Sequence, residues 1–503
     1  GLFAVFDVRE RGEYNEGQIP NATSLPRSQI EFRIADLMPG RKIPIVVYDD
    51  GGKRAELALG TMAELGFAQV SILDGGLEAW QKAGRDTVSG VNVPSKAFGE
   101  RLYHDRSVPD LSADELKGLI ESNTDLTILD VRTPEEYARF CIPGGLNIPG
   151  GDLILWAEEL RRKPTVIVNC AGRTRSIIGT AALRRLGLTN VRALRNGSMG
   201  WVLAGFELET KPARSGPLAP SESKAQAAAT ARRVAEEEKI PSISIDEAQR
   251  LIETDADGVG YLIDVRSEEE YGAGHLAGSI HVPGGQAVQR ADDFVPVRNA
   301  PGVFISNHAA RAVMAAYWYR QMGFMNVYVM QGGLEAWKAS GRPLLDGASD
   351  QEPLGFGVAQ RKAWFVSANM LRDGIERGRY LILDVGTSLE FESTHVPGAK
   401  WISRGWIDIK LPELFPERGR QVVLTCRDGK HSVLAARALA VIGYRHVSVL
   451  DGGLDDWTAA EYDTESGLRD CLVPPNDAVL SPSIRGSKDD MQKYLDWELK
   501  LKQ

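Results

Sequence analysis

The chain has 503 residues, 43% of them apolar and 25% charged, with a formal net charge of −9. That length suits three or four domains, each with enough apolar content to bury a core. The acidic balance, without a long basic stretch, argues against nucleic acid or an anionic membrane as the main partner, and no apolar run reaches the length of a membrane span.

In chain order, the first segment opens with a strand ending in Asp7-Val8, runs through FDVRERGEYNEGQIPNA and VVYDDGGKRA, and closes with LDGGLEAW at Leu73–Trp80. A domain is predicted over 1–90. The chain begins at Gly1 without Met, and this segment has almost no counterpart of the lead-in LSADELKGLIESNTDLTILD found later, so the first domain is expected to be shortened by a trimmed or missing N-terminus. The connection TVSGVNVPSKAFGERLYHDRSVPD follows.

A second domain is predicted over 108–212. Ser112 and Glu115 are spaced as a capping box at the start of its lead-in helix. Short apolar runs predict strands over 126–131, 165–169 and 190–194. Between the last two, a helix is predicted over 176–188, with Ile177, Ile178, Ala181, Leu183 and Leu186 on a mainly apolar face.

A linker over 213–239 begins Pro-rich and becomes rich in Ala, Glu, Lys and Arg, so its second half is predicted to be helical. Third and fourth domains are predicted over 240–346 and 358–465. The tail, 466–503, passes a Pro-Pro turn and ends in DDMQKYLDWELKLKQ, an amphipathic helix expected to pack on the body.

One segment occurs four times. A strand ending in Asp-Val leads to an acidic-aromatic pair, a turn and a closing Gly-Gly-Leu-x-x-Trp or its relative. The Asp residues are Asp7, Asp130, Asp264 and Asp384, at steps of 123, 134 and 120 residues; the closing residues are Trp80, Trp201, Trp337 and Trp457, at steps of 121, 136 and 120. Such a period suits a whole small domain rather than a solenoid unit. Strands alternating with helical patterns predict an α/β fold with doubly wound parallel sheets. The longer middle step predicts halves made of copies one with two and three with four. The repeated Asp-Val-Arg, present with and without a cysteine, reads as structural, as do the Trp closures.

Chemistry enters where the copies differ. About forty residues after each Asp, a strand runs into a loop that opens a helix: VVYDDGGKRA, VIVNCAGRTRS, VFISNHAARA and VLTCRDGKHS. The first loop residue is Asp49, Cys170, Ser306 or Cys426. A cysteine between a strand's carboxyl end and a helix's amino end is placed where backbone N–H groups and the helix dipole favour a thiolate. Asp49 carries no sulfur and Ser306 has no evident base, so copies one and three read as inactive. Cys170 is the principal nucleophile candidate and Cys426 the second.

The four cysteines, Cys141, Cys170, Cys426 and Cys471, are too few for a disulfide framework and point to a reduced, cytoplasmic setting. Cys141 is a candidate to resolve an intermediate on Cys170 as a disulfide, or else a small apolar residue beside its Ile-Pro turn. Cys471 reads as incidental.

LDVRTPEEY…IPGG, the CAGRTRS loop and the Gly-Gly-Leu-x-x-Trp closure resemble rhodanese domains, four in tandem over nearly the whole chain. The resemblance implies thiosulfate sulfurtransferase chemistry without cofactor or metal. The thiolate would take the outer sulfur of thiosulfate, a small anionic donor, as a persulfide, then pass it to cyanide or a thiol. The alternatives are a persulfide relay or scaffold with another donor, such as 3-mercaptopyruvate or a protein persulfide. Phosphatases and arsenate reductases of the superfamily have Cys-x5-Arg, whereas Cys170 and Arg175 are separated by four residues, a loop sized for one sulfur atom.

Around Cys170, Ala171 and Gly172 form the curl of the loop, Arg173 would attract the donor, and Thr174 continues the loop. Arg175 would either help bind the donor or tie the loop to a carboxylate such as Asp130, and Ser176 would add a hydroxyl donor. Around Cys426 the corresponding residues are Arg427, Asp428, Gly429, Lys430 and His431. His431 replaces the arginine of the other copies (Arg54, Arg175, Arg311), and Gly386 replaces the arginine of Asp-Val-Arg. Arg427, Lys430 and His431 are expected to supply positive charge there.

Overall fold

A computed structural model describes residues 1–212, 214, 219–253, 260–307, 309–347 and 352–501. Each repeat folds around one parallel sheet. In the second, the order is Asp110–Leu111, Val191–Leu194, Val166–Asn169, Thr127–Asp130, Leu146–Asn147, with every pairing parallel. The central strand Val166–Asn169 is buried at all four positions, which is why it reads as an unbroken apolar run rather than an alternating one. The third and fourth repeats have the same five-strand order, centred on Gly302–Ile305 and Gln421–Thr425. The first has four strands, centred on Ala4–Asp7 and Ile45–Tyr48; the edge strand that each other copy draws from its lead-in has no counterpart among its described residues.

Local sequence accounts for these elements. Ser112 accepts from Glu115 N, and the Glu115 carboxylate accepts from Ser112 N, closing the predicted capping box before the helix Ala113–Glu121. The predicted strands of copy two appear at Thr127–Asp130, Val166–Asn169 and Val191–Leu194. The predicted helix starts earlier and stops sooner, at Thr174–Arg185, because Gly187 turns the chain at φ +91°. The linker is helical over Ser221–Glu237, as predicted, while its residues 213 and 215–218 lie outside the described ones. The same holds for residues 254–259 in the third predicted domain and 502–503 in the tail.

The chain forms two compact units, and their composition corrects the expected halves. Residues 92–350, with 1–2 and 480–503, form the first, which holds repeats two and three; residues 3–91 and 351–479 form the second, which holds repeats one and four. In the first unit the linker helix Ser221–Glu237 lies against both Leu153–Arg161 of copy two and Ala309–Gln321 of copy three, with Ala227, Ala231 and Val234 buried. The long connection therefore joins the repeats it was expected to separate. In the second unit Arg27 pairs with Asp408 at 2.7 Å, Arg404 with Glu31 at 2.6 Å, and Ser403 Oγ donates to Glu10 at 2.6 Å. No helix among the described residues is long and apolar enough to cross a membrane.

Candidate active site

The four loops share one construction. In each, the closing Gly-x-x-x-Trp segment docks on the carbonyl of the first loop residue: Leu77 N donates to Asp49 O, Ser198 N to Cys170 O, Leu334 N to Ser306 O and Leu454 N to Cys426 O, all at 2.8–2.9 Å. The glycine just before the docked N–H has to be glycine. Gly197 has φ +54°, and a Cβ there would lie 2.2 Å from Cys170 O. The Trp closures sit behind these segments. Trp201, Trp337 and Trp457 are buried, Trp80 half-buried, and each indole N–H donates to a backbone carbonyl six residues on.

Copy one shows what the loop binds. The Asp49 carboxylate accepts from Gly51 N at 2.8 Å, Gly52 N at 3.0 Å and Ala55 N at 3.1 Å, the backbone N–H groups two, three and six residues further on. An anion at the first loop position is thus ringed by backbone donors at the mouth of a helix. In copy four the N–H six residues on, Ser432 N, reaches Cys426 Sγ at 3.4 Å.

In copy two the same position is Cys170, 1% exposed. Burial pushes the Cys170 thiol up; the Arg175 charge and hydrogen bonds from Ser176 act against it, and the Glu498 carboxylate adds to the rise. Arg175 is held by Glu136 at 2.5 and 2.8 Å, not by Asp130, which is bound by Arg132 at 2.7 Å. Although burial works the other way, Arg175 brings Glu136 down to about 2. Arg173 forms a buried pair with Glu100 at 2.6 and 2.9 Å and reaches Asn196 at 3.1 Å. Ala171 O accepts from Met199 N at 3.0 Å, Ser176 Oγ donates to Arg173 O at 2.9 Å, and Thr174 donates to Glu498. Gly172 lies under the C-terminal helix.

Copy four departs from this pattern. Burial first, then the Asp384 and Asp428 carboxylates, push the Cys426 thiol up to about 12, against hydrogen bonds from Ser432. His431 does not supply the expected charge. Half-buried and stacked on Phe32 at 4.3 Å, it is pushed down to about 3, by desolvation and then by the Arg404 charge, and stays neutral. Arg427 is exposed beside Asp455, while Lys430 is 3.3 Å from Asp428, whose carboxylate also accepts from Lys430 N at 3.0 Å. Gly429 takes the left-handed conformation that opens the helix, at φ +80°.

The Asp-Val-Arg motif is structural, as expected. Arg9, Arg132 and Arg266 each fork onto the aspartate two residues back and also donate to a carbonyl eight residues ahead. In copy four, with Gly386 in place of that arginine, Asp384 is left with Gly386 N and Thr425 Oγ1, and burial pushes it up to about 7. Cys141 is buried in a strand paired with Glu209, and all four cysteines are free thiols. Glu100, Glu136, Lys96, Tyr494 and Glu498 around the Cys170 loop were missed by the sequence reading. Of these only Glu136 carries a sequence signal: in every copy a glutamate precedes the first Tyr or Phe after the Asp-Val strand, and in three of the four (Glu13, Glu136 and Glu270) it binds the loop arginine (Arg54, Arg175 and Arg311).

Comparison with known proteins agrees with this geometry. The profile of the rhodanese-like domain matches four times, at residues 1–83, 112–204, 244–340 and 367–460. The crystal structure of a thiosulfate sulfurtransferase from Pseudomonas aeruginosa is similar over 100% of this chain and 94% of its own, with a TM-score of 0.90 and 37% identity. A putative sulfur carrier protein YrkF of Bacillus subtilis is 30% identical over 137 residues, 25% of this chain and 72% of that protein. The thiosulfate sulfurtransferase GlpE of Pseudomonas paraeruginosa is 31% identical over 99 residues, 19% of this chain and 83% of that protein. With four profile matches spanning most of its length, on four sheets of one topology, the chain belongs to the rhodanese-like domain family.

Proposed function

We propose that this protein is a rhodanese-type sulfurtransferase that carries sulfane sulfur on Cys170, with thiosulfate as donor and cyanide or a thiol as acceptor. The observation that carries this reading is the loop of copy one, where three backbone N–H groups converge on the Asp49 carboxylate. Cys170 stands at that position in copy two, so the same donors would serve a thiolate and then the terminal sulfur of a persulfide. The names of the relatives, sulfurtransferase and sulfur carrier, support it.

In the first step the Cys170 thiolate attacks the outer sulfur of thiosulfate. A sulfur–sulfur bond forms at Cys170, the sulfur–sulfur bond of thiosulfate breaks, and sulfite leaves with its electron pair. Cyanide then attacks the terminal sulfur, forming thiocyanate and returning the thiolate. Arg175, beside the thiol, stabilises both anionic forms, and Glu136 keeps it in place. Cys426 is a slower second site, because its thiol sits at about 12 and the arginine position is a neutral histidine.

Peptide mass spectrometry after incubation with thiosulfate, then cyanide, tests this. The Cys170 peptide is expected to gain about 32 Da, one sulfur, and to lose it to cyanide. Labelling at neither cysteine would reject thiosulfate as donor and favour a scaffold or a relay fed by another persulfide.

A further inference from the structure

The C-terminal helix Lys488–Lys500 ends on the Cys170 loop. It is capped by Ser487 and Asp490, and Met491 and Leu495 seat it on Met199 behind the loop. One turn further on, Glu498 is turned inward and is 1% exposed. Thr174 Oγ1 donates to its Oε1, while its Oε2 is buried with no hydrogen-bond partner among the described residues. A Cβ added at Gly172, two residues after Cys170, would lie 3.3 Å from that free oxygen and 3.6 Å from the Tyr494 ring. Lys96, Glu100 and Arg173 surround the carboxyl, with the Lys96 ammonium also 4.9 Å from the Tyr494 ring and 4.7 Å from that of Trp497.

A glutamate at the end of an amphipathic helix ordinarily faces water, and burying one with an oxygen unpartnered is costly. Packing of Met491 and Leu495 on Met199 accounts for the apolar face of the helix but not for the inward carboxyl. Its free oxygen points at the loop whose N–H groups are built for an anion. Burial pushes the Glu498 carboxyl up while the Lys96 and Arg173 charges pull it back, and in its ionised form it opposes the Cys170 thiolate.

We infer that Glu498 is a specificity-determining residue: the helix closes the Cys170 loop, and the Glu498 carboxylate disfavours anionic reagents there relative to uncharged ones. The inference rests on Cys170 being the reactive thiol of the proposed sulfurtransferase, and it makes dianionic thiosulfate a donor that must overcome the carboxylate. Uncharged reagents are spared that repulsion.

The test compares alkylation of Cys170 by uncharged iodoacetamide and anionic iodoacetate in the full-length chain, read by peptide mass spectrometry, with Cys426 in the same sample as a control. Glu498→Gln keeps the size of the side chain and an acceptor for Thr174. It is expected to raise the iodoacetate-to-iodoacetamide rate ratio at Cys170 by roughly tenfold, the effect of one nearby unit charge in a partly screened site, and to leave the Cys426 ratio unchanged. Leu495→Glu, which unseats the helix, is expected to speed both reagents at Cys170. An unchanged ratio in E498Q, an equal shift at Cys426, or no acceleration in L495E would each overturn the inference. These outcomes are independent of sulfur transfer, so failure of thiosulfate to label Cys170 rejects the proposed function while leaving this selectivity standing.

Discussion

At Cys170, burial and a nearby guanidinium pull the thiol in opposite directions, and the balance sets how much thiolate exists at neutral pH. Arg175 is the main cation in that balance, and Glu136 holds it in place. Replacing Arg175 with Met is therefore expected to raise the apparent pKa of Cys170 further and to cut the thiolate fraction near pH 7 by about tenfold. The pH profile of iodoacetamide labelling at Cys170 measures this. A companion R175M/E136Q chain, which leaves no orphaned carboxylate, is expected to show the same shift. The sequence located Cys170 and Arg175 through their spacing, but left open whether Arg175 binds the donor or ties the loop to a carboxylate such as Asp130; the carboxylate that holds it is Glu136. Asp130 is nearer in the motif, yet Arg132, two residues from it, forks onto it first.

The strand that leads into each Asp-Val motif ends in a buried aspartate, and three copies neutralise it with the arginine two residues on. Copy four does not, and Asp384 rises to about 7. A carboxyl whose folded-state pKa lies above its unfolded value stabilises the fold below the unfolded pKa, near 4, and that contribution is lost as pH rises through the folded value. Glu10, in the same unit, is pushed up to about 7 by burial and acts with the same sign. The thermal midpoint of the unit formed by repeats one and four is expected to fall between about pH 4 and pH 7. Asp384→Asn, neutral throughout, is expected to make that fall shallower in calorimetry, leaving the part due to Glu10. The loss of Arg at position 386 was visible in the sequence. Its electrostatic consequence was not, because that depends on burial and on which donors replace the guanidinium.

At the scale of the molecule, repeats pair by surface chemistry rather than by order in the chain. Arg404 joins repeat four to repeat one through Glu31, at 3.0 and 2.6 Å, with both side chains largely buried. Arg404→Met would leave Glu31 buried and uncompensated, at a cost of about 3–5 kcal/mol. Denaturation of the unit containing repeats one and four should show the loss. Adding Glu31→Gln is expected to recover much of it, as a double-mutant cycle would report.

The sequence by itself determined the number of repeats, their parallel-sheet fold and the position of the two candidate thiols, because apolar periodicity, glycine turns and strand-to-helix junctions are local properties. Gly197 is required where it stands by two carbonyls in its own repeat, those of Cys170 and Gly172, and Cys170 lies at a junction written in eleven consecutive residues. Only the tertiary structure decided that repeats two and three share one unit, that His431 is neutral against Phe32, and that Glu498 reaches a loop more than three hundred residues earlier in the chain. Each of those depends on contacts between segments far apart in sequence. Such contacts are selected by complementary shape, burial and charge in the folded molecule, which no local pattern encodes.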